Sequence, residues 1–166
     1  ARVLESQEKE AMDVLNKAAE RADIKTTKVV NLDEIRILPQ KDGKQCFSYA
    51  GYDAVTMKML GVHQYENAVA AMLAAELFFE KYFAGKKNVP ERKALQHAIR
   101  EGIDRTQWMG RMELVSNDPF FLMDGAHNSN GVEALKKSLE TMYPDEKFHF
   151  IMGVMADKDY GEMIRE

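Results

Sequence analysis

The sequence predicts an α/β protein, and three observations carry that expectation. Short β-like runs follow one another between Thr26 and Leu60, a long apolar helical pattern comes next, and from Pro119 onward strand and helix patterns alternate. Alternation of the last kind points to a βαβ unit with a parallel sheet. The change of style sets a domain boundary near Thr106 to Gly110 and divides the chain into residues 1–106 and 107–166.

Taken in order, "SQEKEAMDVLNKAAERAD" reads as a first helix, with Ser6 as N-cap and Met12, Leu15, Ala18 and Ala19 at helical spacing. Strands are expected in "TTKVV", "EIRILP", "KQCFSYAG" and "AVTMKML", with Asp42-Gly43 as a hairpin turn. The stretch "HQYENAVAAMLAAELFFEKYFAG" predicts a helix ending near Gly85. It is apolar on nearly every side, which predicts burial on more than one face. Pro90 suits the first turn of the next helix, "ERKALQHAIREGI", which Gly102 helps to end. "RMELV" and "PFFLMD" read as strands joined at Asn117-Asp118. "GVEALKKSLETMYP" follows as a helix, "KFHFIMG" as a strand and "KDYGEMIRE" as the start of a helix.

Composition narrows the function classes. With 45% apolar and 30% charged residues the chain is globular in type, and its net charge of −4 gives no footprint for nucleic acid. The single cysteine, Cys46, leaves no disulfide framework, and no Cys/His spacing suits structural zinc. No apolar run reaches the roughly 20 residues of a membrane span. A cytoplasmic protein with no membrane partner is the expectation. The chain opens "ARVLESQ" without methionine and stops at "GEMIRE" inside a helical pattern, so a piece of a longer protein is expected.

Four stretches bear chemistry. In "PFFLMDGAHNSNG" an apolar run ends at Asp124, and Gly125, His127 and three candidate caps, Asn128, Ser129 and Asn130, follow before a helix. Ligands of open parallel sheets bind at such strand exits, and a helix N-terminus favours an anion there. The same residues also suit a capped strand-to-helix loop with no ligand. "FIMGVMADKDYGEM" ends a second apolar run with Gly153, Asp157, Lys158 and Asp159, where the lysine suits phosphate or a charged surface turn. In "GVHQYENAVAAM" Gln64 and Asn67 stand three apart, a spacing for two amides on one helix face to read a planar ring, or for N-capping. In "QWMGRMEL" Arg111 offers a fork for phosphate or carboxylate, Gly110 a joint and Trp108 packing bulk. His97 and His149 read as structural, and the methionines as packing material.

Together, and in this order, "HQYENA", "WMGR", "DGAHNS" and "MADKD" resemble the folylpolyglutamate synthase family, relatives of the Mur ligases. That family shows "HQxxNA", "WPGR", "DGAHNP" and "DKD" in the same order, and "VLESQEKEAMDVL" is similar to its central domain. Met109 and Ser129 stand where the family has proline. Both are loop positions, so they bear on loop geometry more than on chemistry.

The resemblance implies the later part of a Mur-ligase-like central domain in residues 1–106 and the first part of a Rossmann-like C-terminal ligase domain in 107–166. It implies an ATP-dependent amide ligase that activates a folate carboxylate as an acyl phosphate for attack by L-glutamate. The folate would be tetrahydrofolate or, in the dihydrofolate synthase branch, dihydropteroate. It assigns Asn67, with Gln64, to the adenine end of ATP, Arg111 to its phosphates and Asp124 to its ribose side. His127 falls near the phosphate or acyl phosphate, and Lys158 in the same crevice. The family's glycine-rich phosphate loop is absent here, since no "GxxxxGK[ST]" occurs. Its Mg2+ ligands are likewise expected outside this chain, so the chain alone is expected to be inactive. A monomer is the expected state. Another Mur-type amino acid ligase is the close alternative, and a non-catalytic nucleotide-binding module the distant one.

Overall fold

The computed structural model describes residues 2–4, 9–155 and 160–165. Ser6 and the loop bearing Asp157, Lys158 and Asp159 lie outside the described residues. The chain divides into two units, residues 1–58 with 65–106 and residues 59–64 with 107–166.

In the N-terminal unit, β1 (Arg2–Leu4), α1 (Lys9–Arg21) and β2 (Thr27–Val29) form a parallel crossover, with Arg2 paired to Thr27 and Leu4 to Val29. The sequence reading missed β1, a three-residue strand whose partner lies more than 20 residues away. Met12, Leu15 and Ala19 of α1 turn inward, and Ala18 is exposed.

A three-stranded antiparallel sheet follows, with β3 (Arg36–Lys41) paired to β4 (Lys44–Tyr49) and β4 to β5 (Tyr52–Met57). Asp42 (φ 52°) and Gly43 (φ 73°) make the first turn, and Ala50 (φ 42°) and Gly51 (φ 85°) the second. Two successive left-handed residues match the twist of the flanking strands, as two-residue hairpins require. Pro39 sits on the edge strand, where a missing N–H is tolerated.

α2 (His63–Phe83) and α3 (Arg92–Arg105) belong with this sheet. Phe47, Tyr49, Val55 and Met57 meet Tyr65, Val69, Met72 and Ile99 in one apolar core. Polar ties close its edge. Lys44 Nζ donates to both oxygens of Asp104 at 2.7 and 2.8 Å, and Thr56 Oγ1 donates to the same carboxylate at 2.6 Å. Those hydrogen bonds, Lys44 first, hold Asp104 below the ordinary carboxylate range. The Tyr52 hydroxyl donates to Glu76 at 3.0 Å, and Lys28 pairs with Glu76 at 3.2 Å. Burial, with Glu76 alongside, pushes the Tyr52 phenol up.

Three helix expectations need correction. α2 is buried along one stripe only. Asn67, Ala71, Ala74, Phe78 and Tyr82 face outward, small residues and two rings that stack on each other at 5.7 Å. Pro90 precedes Glu91, the N-cap of α3, and so stands outside the helix. Gly102 lies within α3, which runs on to Arg105 and ends where Thr106 N–H and Oγ1 both donate to the Gly102 carbonyl.

The second unit holds a hairpin of β6 (Glu113–Asn117) and β7 (Phe120–Met123), then α4 (Ser129–Met142) and α5 (Tyr160–Arg165). The turn falls at Asp118–Pro119, whose peptide is cis, one residue later than expected. Residues 147–153 do not form the strand predicted for "KFHFIMG", so the βαβ unit expected from Pro119 onward is not formed. A strand needs a ladder partner for its N–H and C=O groups. Among the described residues the sheet of this unit is the β6–β7 hairpin alone, and it does not extend to them. The same stretch leaves Ile151 fully exposed.

Candidate functional site

The strand exit after β7 is organised by one carboxylate. Asp124 Oδ1 accepts from the Ala126 N–H at 2.7 Å, and Oδ2 accepts from the Met112 N–H at 2.8 Å. The first bond shapes the local loop, as Asp side chains do in turns. The second reaches back 12 residues and fastens the segment before β6 to the exit of β7. Hydrogen bonds to a charged acceptor contribute about 1.5–3 kcal/mol each.

That upstream segment is tightly bent. Gly110 (φ 68°) and Met112 (φ 44°) are both left-handed, with the exposed Arg111 between them. The Gly110 N–H donates to Glu113 Oε2 at 2.8 Å. A Cβ on Gly125 would stand 3.1 Å from the Gly110 carbonyl oxygen, so the two backbones nearly touch. Glycine at 125 permits that approach.

Residues 59–64 join the same unit through Met112 and α4. Met112 is 1% exposed, and its sulfur would lie 2.9 Å from a Cβ on Gly61, whose φ is 110°. The Val62 N–H donates to Ser138 Oγ at 3.0 Å, and Ser138 Oγ donates to the Ala134 carbonyl. One buried hydroxyl on α4 therefore satisfies a backbone donor 76 residues upstream. Sequence reasoning missed Gly61, Met112, Glu113 and Ser138. Of these only Gly61 left a signal, as a glycine placed just before a helix start.

The His127 side chain is exposed, and its Nδ1 lies 2.9 Å from the Gly125 carbonyl oxygen. A carbonyl only accepts, so Nδ1 carries the proton and donates. In the neutral ring Nε2 is then left as an acceptor. Of the three candidate caps, Asn128 is the one used, and its Oδ1 accepts from the Gly131 N–H at 2.8 Å. Ser129 Oγ instead donates to Glu162 on α5, a bond the family's proline could not make.

Gln64 and Asn67 do not share a surface. Gln64 is buried with its amide nitrogen 3.0 Å from His63 Nε2, while Asn67 is exposed. Trp108 is 71% exposed, which corrects the packing role expected for it. His97 is exposed beside Glu101, and His149 is exposed outside any strand. Met72, Met112 and Met163 are buried as packing residues should be, but Met109 and Met155 are not.

Arg111, Asp124 and His127 thus stand within one bend-and-exit structure, and Lys158 lies outside the described residues. A separate apolar groove of about 560 Å³ is lined by Leu135, Leu139, Tyr143, Phe148, Phe150 and Met163, and none of the motif residues line it. Its wall is mainly apolar, with Lys136, Glu140 and Glu146 also lining it. Among the described residues no group of three or more His, Cys, Asp or Glu side chains is placed to hold a metal, and no helix is long and apolar enough to cross a membrane.

Residues 110–166 match the family "Mur ligase, glutamate ligase domain". The dihydrofolate synthase/folylpolyglutamate synthase of Bacillus subtilis (strain 168) is 32% identical over 114 residues, covering 69% of this chain and 25% of that protein. The folylpolyglutamate synthase of Lacticaseibacillus casei is 28% identical over 123 residues, covering 72% and 27%. The chain therefore spans about a quarter of the length of these relatives. Its fold is that of an FPGS–AMPPCP–folate complex, with a TM-score of 0.81 at 21% identity over 98% of this chain and 38% of the other. The Mycobacterium tuberculosis folylpolyglutamate synthase complexed with ADP gives 0.70 at 27% identity over 98% and 35%. Four motifs in family order, the glutamate ligase match and these likenesses agree, and the chain belongs to the folylpolyglutamate synthase/dihydrofolate synthase family of Mur-type ligases.

Proposed function

We propose that this chain is part of an ATP-dependent ligase that adds L-glutamate to a folate, with residues 107–166 opening its C-terminal domain and residues 1–106 closing its central one. The observation that carries the reading is the bend-and-exit structure, in which Arg111 and His127 are presented at the exit of β7 inside the stretch that matches the glutamate ligase family.

The reaction runs in two displacements. A folate carboxylate oxygen attacks the γ-phosphorus of ATP, forming an acyl phosphate and releasing ADP. The amine of L-glutamate then attacks the acyl carbon, an amide bond forms and phosphate leaves. Arg111, exposed and always charged, would face the phosphates and offset negative charge as the γ-phosphoryl group moves. His127 would present Nε2 as an acceptor near the phosphate or acyl phosphate. Asp124 would lie toward the ribose side, since each carboxylate oxygen keeps a lone pair beyond its backbone bond. Asn67 supplies the exposed amide for the adenine end. The burial of Gln64 fits a role in holding the helix start, and Lys158, outside the described residues, is a further candidate for the phosphates by the family resemblance. Mg2+ would offset phosphate charge when bound, and its ligands are expected outside this chain, since the described residues place no group of three or more His, Cys, Asp or Glu side chains together. A cytoplasmic monomer is the setting that fits a ligase of small soluble substrates.

The test measures glutamate-dependent ADP release by the gene's complete product, with tetrahydrofolate and with dihydropteroate. Turnover is expected to fall about 100- to 1,000-fold in Arg111→Ala, and the preferred folate names the branch. Unchanged turnover in that variant would remove Arg111 from the site. A wild-type enzyme idle with both folates would sink the folate assignment.

A further inference from the structure

We infer that Asp124 is a positioning residue for Arg111, acting through the backbone of Met112 as one jaw of a two-carboxylate clamp. The inference rests on the role proposed for Arg111 and extends it.

Arg111 is flanked by two left-handed residues, Gly110 and Met112. Glycine adopts that conformation freely, but methionine does so at a cost and must be held there. The N–H groups on either side of Arg111 both end on carboxylates, Gly110 on Glu113 and Met112 on Asp124, each at 2.8 Å. Met112 is also locked by its side chain, which is 1% exposed and packs against Gly61. The backbone from which Arg111 projects is therefore fixed on each flank, while its side chain remains exposed to solvent. A guanidinium that must meet a moving phosphoryl group gains from such a rigid base, because misplacement by about 1 Å can cost about 100-fold in rate. Loss of Asp124 frees Met112 to leave its left-handed conformation, and Arg111 then swings with it.

A role confined to ligand contact makes different predictions from a clamp, and the complete product can tell them apart. In Asp124→Ala the Met112 amide is expected to exchange with solvent deuterium at least about tenfold faster. The Tyr143 amide, bonded to Leu139 at the far end of α4, should keep its rate. Turnover should fall with the KM for glutamate unchanged, and adding Asp124→Ala to Arg111→Ala should lower it by a smaller factor than Asp124→Ala lowers wild type. Asp124→Asn keeps one acceptor oxygen and should fall between wild type and alanine. It also serves if Asp124→Ala does not fold. Unchanged Met112 exchange, or losses that multiply in the double variant, would overturn the clamp. The exchange measurement needs no substrate, so a complete product with no folate-dependent turnover would end the ligase reading while the clamp is still judged.

Discussion

The two units carry similar shares of apolar residues and use them differently. In the N-terminal unit the strands are paired, Phe47 is fully buried and its ring meets Tyr65 edge-on at 5.7 Å. In the other unit Phe150, Ile151, Met155 and Ile164 are exposed, and an apolar run with the period of a strand pairs with nothing among the described residues. Apolar patterning states what a segment would bury, and a neighbour decides whether it does. The run from Phe148 to Met152 finds no strand partner among the described residues, whereas β4 finds one on each side.

The largest test of that contrast uses the 166-residue chain. Phe47→Ala should cost about 3–5 kcal/mol in urea denaturation, and Ile151→Ala should stay within about 0.5 kcal/mol. Equal costs would erase the difference between the units.

What could be read in advance follows the same division. Features whose chemistry is local were legible. Asp42-Gly43 carries its own left-handed turn, the cap of α4 is one of the three residues read for it, Asn128, and α2 declares itself by length. Features that depend on a distant partner were not. β1 is a strand because β2 pairs with it, and "KFHFIMG" is none because nothing among the described residues does. At the candidate site the polar exit at Asp124 was visible, but its bond to Met112 was not, since nothing in "RMEL" announces a backbone donor awaiting a carboxylate. Trp108 was misjudged because bulk suggests burial, and the segment before β6 leaves it exposed.

A middle-sized effect sharpens the comparison inside the second unit. Gly61→Ala would set a methyl 2.8 Å from the His63 ring and 2.9 Å from the Met112 sulfur, at a φ that L-residues avoid. A loss of about 2 kcal/mol is expected in thermal or urea unfolding. No loss would show that residues 59–64 are not packed on Met112.

The smallest effect lies in the N-terminal unit and depends on pH. Asp104 titrates below its unfolded value of about 3.9. The stability it contributes is therefore present above that value and lost as pH falls through the lower, folded one. Acidifying from pH 6 to pH 3 should destabilise wild type more than Asp104→Asn, by about 1 kcal/mol or less for a part-buried pair that water still screens. Equal acid sensitivity would discount the Lys44–Asp104–Thr56 tie.

Ser138 has a consequence for how such a protein could be taken apart or recombined. Its hydroxyl receives the Val62 N–H, so a piece of the second unit is encoded ahead of nearly all of α2 and the whole of α3. An excised cassette of residues 107–166 would lack that piece, and grafting it onto a different upstream partner would import a foreign one. The two units are interleaved along the gene, and a crossover that respects the folded molecule has no single cut point between them.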